Sequence, residues 1–381
     1  MSLRHTMVAA AAVIALTGCG QEPATSEVDA DATSGQPDVV MDAGADAGPT
    51  SVHSELQAAT TQAVAELNIP GAAMGVAFSD GTVWTAAAGD ANRADGEAWT
   101  AEQVFRIGSV SKTFTAALIL LLVEDGTLTL DDPIEDWVPG YYDGLGVTVR
   151  HLMANGSGIV SYNYVGSFDR TRSWTPQELV AWAVANEPGL RFAPGTEWEY
   201  SNTNWVLLGL IAEAAGGSTF ETQVEQRLTG PLGLTQTRMT ASGENVPGLV
   251  SCYDEEGVDI TATVDPSYGW AAGGMVSTPA ELAQWGLALY GGEVLSAASL
   301  TLMTTPWIEP EGMGAEYGLG VFIESDGTQT IWGHTGGIGG YMTYMYHWVG
   351  DGITLVAMSN KLGTKLRDLA GYGWVVALDL P

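Results

Sequence analysis

Positive charge is what this chain has least of. Its 381 residues carry 13 Lys and Arg against 45 Asp and Glu, a formal net charge of -32. Nucleic-acid binding rests on Lys and Arg neutralising phosphates, so an imbalance of this size excludes it. It equally excludes a basic patch that would hold the folded part to an anionic membrane. Charged residues make up only 15% of the chain, against about 25% in an ordinary domain. Lysine is scarcest, with three at 112, 361 and 365. Cysteine is nearly absent: Cys19 and Cys252 rule out a disulfide scaffold and a cysteine-held zinc. The five His, at 5, 53, 151, 334 and 347, form no H-E-x-x-H, and G-x-S-x-G and Walker A patterns are missing. No cofactor and no metal are expected. Apolar residues are plentiful: 46% are hydrophobic, with 13 Trp, 13 Tyr and 7 Phe, and these need a core.

The N-terminus reads as an address. Residues 1–18 combine Arg4 and His5 with an apolar run from Met7 to Leu16 and a small-residue end, the pattern of a secretory signal peptide. The run is half the ~20 residues that a membrane span requires. The junction Leu16-Thr17-Gly18-Cys19 resembles a bacterial lipobox, which makes Cys19 the lipidation site and the mature N-terminus. Gly at 20 instead of Asp then implies the outer membrane of a two-membrane bacterium. The expected localisation is therefore the cell envelope, with membrane contact only through the N-terminal lipid. Lipid on Cys19 leaves Cys252 without a partner, so no disulfide is expected. Residues 20–53 hold seven carboxylates and no Lys or Arg, and lack periodicity, so 19–53 is a lipidated Cys followed by a solvated acidic linker.

From 54 to 381 the pattern is of one domain. A helix is expected over 54–67, then strands over 72–78 and 82–88 joined at Ser79-Asp80-Gly81. Helices are predicted over 110–125, 176–186, 203–215, 219–228, 279–290 and 296–304. Capping boxes are expected at Thr175–Glu178 and Thr278–Glu281. Strands return over 317–324, 328–332, 341–348 and 353–359, with an Asp351-Gly352 hairpin, before a last helix over 362–378. Strands at both ends with helices between exclude a doubly wound sheet and predict α+β: an antiparallel sheet built from 54–100 and 315–381, and a helical lobe over 101–314.

Three clusters could carry chemistry. Ser109 and Lys112 lie three apart at the start of an apolar helix, so they share a face. A serine hydroxyl needs a base, and a buried lysine amine can serve. The helix start also offers free N–H groups to an oxyanion. Alone, S-x-x-K arises readily by chance. In Tyr200-Ser201-Asn202 an extended backbone points Tyr200 and Asn202 the same way. The bland alternative is a surface tyrosine before a helix. In His334-Thr335-Gly336-Gly337, glycines let another backbone approach a strand, and His334 and Thr335 offer hydrogen bonds. The bland alternative is a tight turn with a bystander histidine. Tyr162 and Tyr164 are candidates to line a cleft, while Trp174 and Trp182 read as core.

Taken together and in this order, Ser-x-x-Lys, Tyr-x-Asn and His-Thr-Gly resemble the penicillin-recognising serine hydrolases, and more narrowly the class C β-lactamase-like group. Further stretches match over 105–139, 230–239, 272–282 and 333–340, so the resemblance spans about 60 to 375. It implies a β-lactamase/transpeptidase-like fold and an acyl-enzyme on Ser109. It further implies Lys112 and Tyr200 sharing the proton work, Asn202 orienting Lys112, and backbone N–H groups of Ser109 and Gly337 holding the oxyanion. Gly336 belongs to the same substrate-facing strand, and His334 and Thr335 bind the leaving group or a carboxylate. The implied partner is a small-molecule or peptide substrate: a β-lactam, a D-amino-acid peptide or a carboxylic ester. One departure stands out. Where relatives commonly read H-L-L-T-H-T-S-G, this chain has Asn155 and Gly156 in place of His-Thr. The charge balance and a His in place of a permanently charged Lys in the third motif lean toward neutral esters or amides. A non-catalytic envelope lipoprotein of the same fold, binding peptidoglycan or a protein partner, is the alternative.

Overall fold

In the computed structural model the described residues are 49–308, 310, 314–325 and 327–378. The signal peptide, Cys19 and nearly all of the acidic linker fall outside them. Eleven strands are present among the described residues: β1 Gly71–Phe78, β2 Val83–Asn92, β3 Glu97–Ala98, β4 Phe105–Arg106, β5 Arg238–Met239, β6 Met275–Ser277, β7 Glu316–Tyr317, β8 Phe322–Ser325, β9 Thr330–Ile338, β10 Tyr341–Trp348 and β11 Ile353–Ser359. Eight form one antiparallel sheet in the order β3-β2-β1-β11-β10-β9-β8-β7. The first strand closes against the last, from Ala72 opposite Ser359 to Phe78 opposite Ile353. Both chain ends thus build one sheet, because β1 and β11 are near-continuous apolar runs, buried along their length, that need cover on both faces.

Helices α1 Pro49–Glu66 and α10 Leu366–Leu378 cover one face. The other faces the helical region: α2 Ser111–Glu124, α3 Val149–Met153, α4 Pro176–Asn186, α5 Asn202–Gly216, α6 Phe220–Val224, α7 Trp270–Gly273, α8 Pro279–Tyr290 and α9 Ala297–Met303. Helix α2 is buried from Ser111 to Leu120 on every side, as an apolar helix without a polar face must be. Phe114 stacks on Trp285 of α8 at 3.8 Å. Thr175 and Glu178 make the expected capping box. At Thr278 only half of it forms: the hydroxyl caps Glu281 N–H, but the Glu281 carboxylate turns to Gln236 N–H at 2.9 Å and the Thr237 hydroxyl at 2.7 Å.

Three sequence expectations are corrected. The strand expected over 317–324 is broken between β7 and β8, where Gly318 N–H bonds the Val321 carbonyl and Gly320 adopts a φ of 86°. The helix expected over 219–228 ends at Val224 and continues as a wider turn over Glu225–Thr229. The strand expected over 328–332 instead runs on through His334-Thr335-Gly336-Gly337 to Ile338. Those glycines are not a turn. A Cβ at Gly333 would stand 2.2 Å from the Met345 carbonyl oxygen, so the residue is there for close backbone approach. A second sheet of three short strands, β4-β6-β5, frames the helical side.

Candidate active site

Strand β4 runs into a tight 3-10 turn over Gly108–Val110 and then into α2. Gly108 has a φ of 51°, and a Cβ there would meet Gly337 N at 2.6 Å. Only glycine meets both demands. A Cβ at Gly336 would stand 1.9 Å from the Ile107 carbonyl oxygen and 3.1 Å from Ser109 N. Turn and strand therefore press backbone on backbone, which places the amides of Ser109 and Gly337 beside each other at the serine. That is the arrangement an oxyanion requires.

Lys112, one helical turn on, is 0% exposed. Its ammonium donates to Ser109 Oγ at 2.9 Å, Asn202 Oδ1 at 2.8 Å and the Ala272 carbonyl at 2.5 Å. It also lies 5.0 Å from the centre of the Tyr200 ring. Burying a charge is costly unless it is hydrogen-bonded, and these three acceptors offset that cost. Two of the motifs, 90 residues apart, thus meet at one nitrogen. The Ala272 carbonyl comes from a strained turn: Trp270 holds a φ of 32°, and the neighbouring Ala271 carbonyl takes the Thr115 hydroxyl at 2.7 Å.

The third motif arrives from behind Tyr200. The His334 and Tyr200 rings are 6.2 Å apart. His334 is 2% exposed; its Nδ1 bonds the Thr335 carbonyl at 2.5 Å, and its Nε2 faces the Tyr317 hydroxyl at 3.5 Å. Burial, reinforced by the Lys112 charge, pushes its imidazole down to about 3, so the ring is neutral at physiological pH. Both nitrogens face protein groups, so His334 stands in the cleft wall and is not aimed at a substrate. Thr335 and Gly337 are half-exposed beside it.

The two tyrosine candidates separate. Tyr162 is 1% exposed, its hydroxyl bonded to the Tyr268 carbonyl inside an aromatic cluster with Phe168, so it is core and not cleft. Tyr164 is 45% exposed. Trp174 is buried and Trp182 largely so, both packed on Phe168. Sequence reasoning passed over Ser161 and Asn163, beside these tyrosines. Asn163 Oδ1 accepts from Asn202 Nδ2 at 3.0 Å and from the Ser161 hydroxyl at 2.6 Å, while Ser161 Oγ accepts the Asn202 N–H at 2.9 Å. These bonds turn the Asn202 amide so that its oxygen meets Lys112. Cys252 is a buried free thiol, which burial pushes up to about 11.

A Ser–Lys pair at a helix start, joined to a Tyr-x-Asn loop and closed by a glycine-rich strand, defines a class. The Beta-lactamase family model matches residues 56–378, and the chain belongs to that family. Its fold is of the β-lactamase/transpeptidase type. Among relatives, penicillin-binding protein 4 of Amycolatopsis lactamdurans is 30% identical over 326 residues, 77% of this chain and 82% of that protein. A penicillin-binding protein of Bacillus subtilis is 30% identical over 278 residues, 68% of this chain but only 61% of that protein's length. Among solved structures, a D-stereospecific amidohydrolase from Streptomyces sp. superposes with a TM-score of 0.73 at 33% identity, covering 84% of this chain and 97% of that one.

Proposed function

We propose that this protein is a serine hydrolase that cleaves a neutral ester or amide through an acyl-enzyme on Ser109, exported and anchored to the envelope through lipid on Cys19. One observation carries the chemical reading: Nζ of the fully buried Lys112 joins Oγ of the partly exposed Ser109 at 2.9 Å and Asn202 Oδ1 at 2.8 Å. In the reacting form Lys112 is the neutral amine, and as Ser109 Oγ attacks the substrate carbonyl its proton passes to the Lys112–Tyr200 pair. The oxyanion lies between the Ser109 and Gly337 N–H groups. Collapse of the tetrahedral intermediate breaks the bond to the leaving group, which takes the proton back from the pair. Water, activated by the same pair, then releases the acid and restores the serine.

Preference for a neutral substrate is supported by charge. The third motif supplies a neutral, buried imidazole where a permanent cation would hold a substrate carboxylate. Residues 54–381 keep 38 acids against 12 bases, which disfavours approach of an anion. The similarity to an amidohydrolase points the same way. The test compares a short p-nitrophenyl ester and an uncharged D-amino-acid amide with the anionic β-lactam nitrocefin. Faster turnover of the neutral substrates, abolished in Ser109→Ala, is the expected result. Much faster nitrocefin hydrolysis refutes the preference, and turnover surviving in Ser109→Ala refutes the nucleophile.

A further inference from the structure

The chemistry above leaves unexplained the pair at which this chain departs from its family's common pattern, Asn155-Gly156. We propose that Asn155 is a positioning residue for Tyr200. The proposal rests on the reading of Ser109, Lys112 and Tyr200 given above.

Asn155 is 0% exposed and holds a φ of 54°, a left-handed conformation that asparagine tolerates better than most residues. Its carbonyl accepts the Glu199 N–H at 3.0 Å. Its side-chain Oδ1 accepts the Ser201 N–H at 3.3 Å and Asn204 Nδ2 at 3.4 Å. Glu199 and Ser201 flank Tyr200 on either side, so one buried residue grips the backbone before and after the phenol. On the other side the amide nitrogen is buried near the Tyr317 hydroxyl but makes no hydrogen bond. That hydroxyl also faces His334 Nε2 at 3.5 Å, and His334 backs onto Tyr200. Asn155 thus fixes Tyr200 through the backbone on either side of it, with the Tyr317–His334 wall behind the phenol. The titratable groups facing Tyr200 are Lys112 from α2 and His334 from β9, with Tyr317 of β7 behind them.

At Gly156 a Cβ would stand 2.5 Å from Ile308 Cδ1, the movable end of a flexible side chain, and 3.7 Å from the nearest backbone atom, so the backbone there does not demand glycine.

The test follows p-nitrophenyl ester hydrolysis by the full chain over about pH 5 to 10, counted per natively folded molecule. Asn155→Gly keeps the left-handed backbone and the Glu199 bond but deletes Oδ1. It should lower kcat about 10- to 100-fold, as expected when a catalytic group is misplaced by less than an ångström, with KM nearly unchanged and the kcat–pH profile displaced. Asn155→Asp keeps Oδ1 and should recover most of the lost rate. An unchanged kcat and profile in Asn155→Gly overturns the proposal, as does an Asp variant no better than Gly. If Asn155→Gly does not fold, Asn155→Ser withdraws the acceptor from the Ser201 N–H while leaving a smaller cavity: a displaced profile supports the proposal and an unchanged one overturns it. Ser109→Ala run alongside separates the two readings. Turnover surviving there overturns the nucleophile and this proposal together. Its loss beside an unaffected Asn155→Gly overturns this proposal alone.

Discussion

Adding one methyl group at Gly336 should disable the enzyme while leaving it folded. The new Cβ would stand 1.9 Å from the Ile107 carbonyl oxygen and 3.1 Å from Ser109 N. Unbonded carbon and carbonyl oxygen settle at about 3.3 Å, so strand β9 and the 107–109 turn must part by roughly 1.4 Å. Both partners are backbone, so no side chain can swing away. The parting opens the gap between the Ser109 and Gly337 amides, and one oxyanion donor is lost. Loss of such a donor costs about 100- to 1,000-fold in kcat/KM, about 3 to 4 kcal/mol of transition-state stabilisation. The stability cost of overpacking is smaller, about 1 to 3 kcal/mol. Esterase assays with urea unfolding of Gly336→Ala measure both. Gly189→Ala is the control, because a Cβ there meets nothing within 4 Å. A Gly336→Ala enzyme within about tenfold of wild type would refute the oxyanion geometry.

Three further outcomes are expected. His334 and His347 are buried and held neutral, at about 3 and about 4, below the ~6.5 of an exposed imidazole. The unfolded chain therefore takes up these protons first: stability is full above about pH 6.5 and falls toward pH 4, by up to about 1.4 kcal/mol per unit for each His. Urea midpoints at pH 7 and 5 test this; His347→Gln should shallow the slope, and identical midpoints would contradict it. Gly371 lies inside α10 with room for a Cβ, so Gly371→Ala should stabilise by about 0.5 to 1 kcal/mol, read as a raised melting temperature. Phe114→Ala should cost about 3 to 5 kcal/mol, because it empties one side of the Trp285 stack; a loss under about 1 kcal/mol would show that the stack carries little.

Features written in local chemistry were legible in the sequence. Helices α4 and α8 begin where their caps predicted, since Thr175 and Thr278 act within one turn. The Ser109–Lys112 pair was legible because helix geometry alone brings them together. The closure of β1 on β11 followed from strands at both ends. Features that depend on distant partners were not legible. Strands of two or three residues such as β4, β5 and β6 have no periodicity to read. Asn163 reaches Asn202 across 39 residues, and nothing local marks it. Gly336 read as a turn or a substrate platform because the carbonyl it accommodates belongs to Ile107. The same holds for His334: its place in the motif suggested a substrate contact, and only packing against Tyr317 and Thr335 turns it into the wall.

The central claim is that Ser109 is the nucleophile, and covalent labelling tests it most directly. Treatment with a fluorophosphonate followed by peptide mass spectrometry should place one adduct on the peptide containing Ser109, and Ser109→Ala should carry none. An adduct on another residue, or labelling undiminished in Ser109→Ala, would contradict the account.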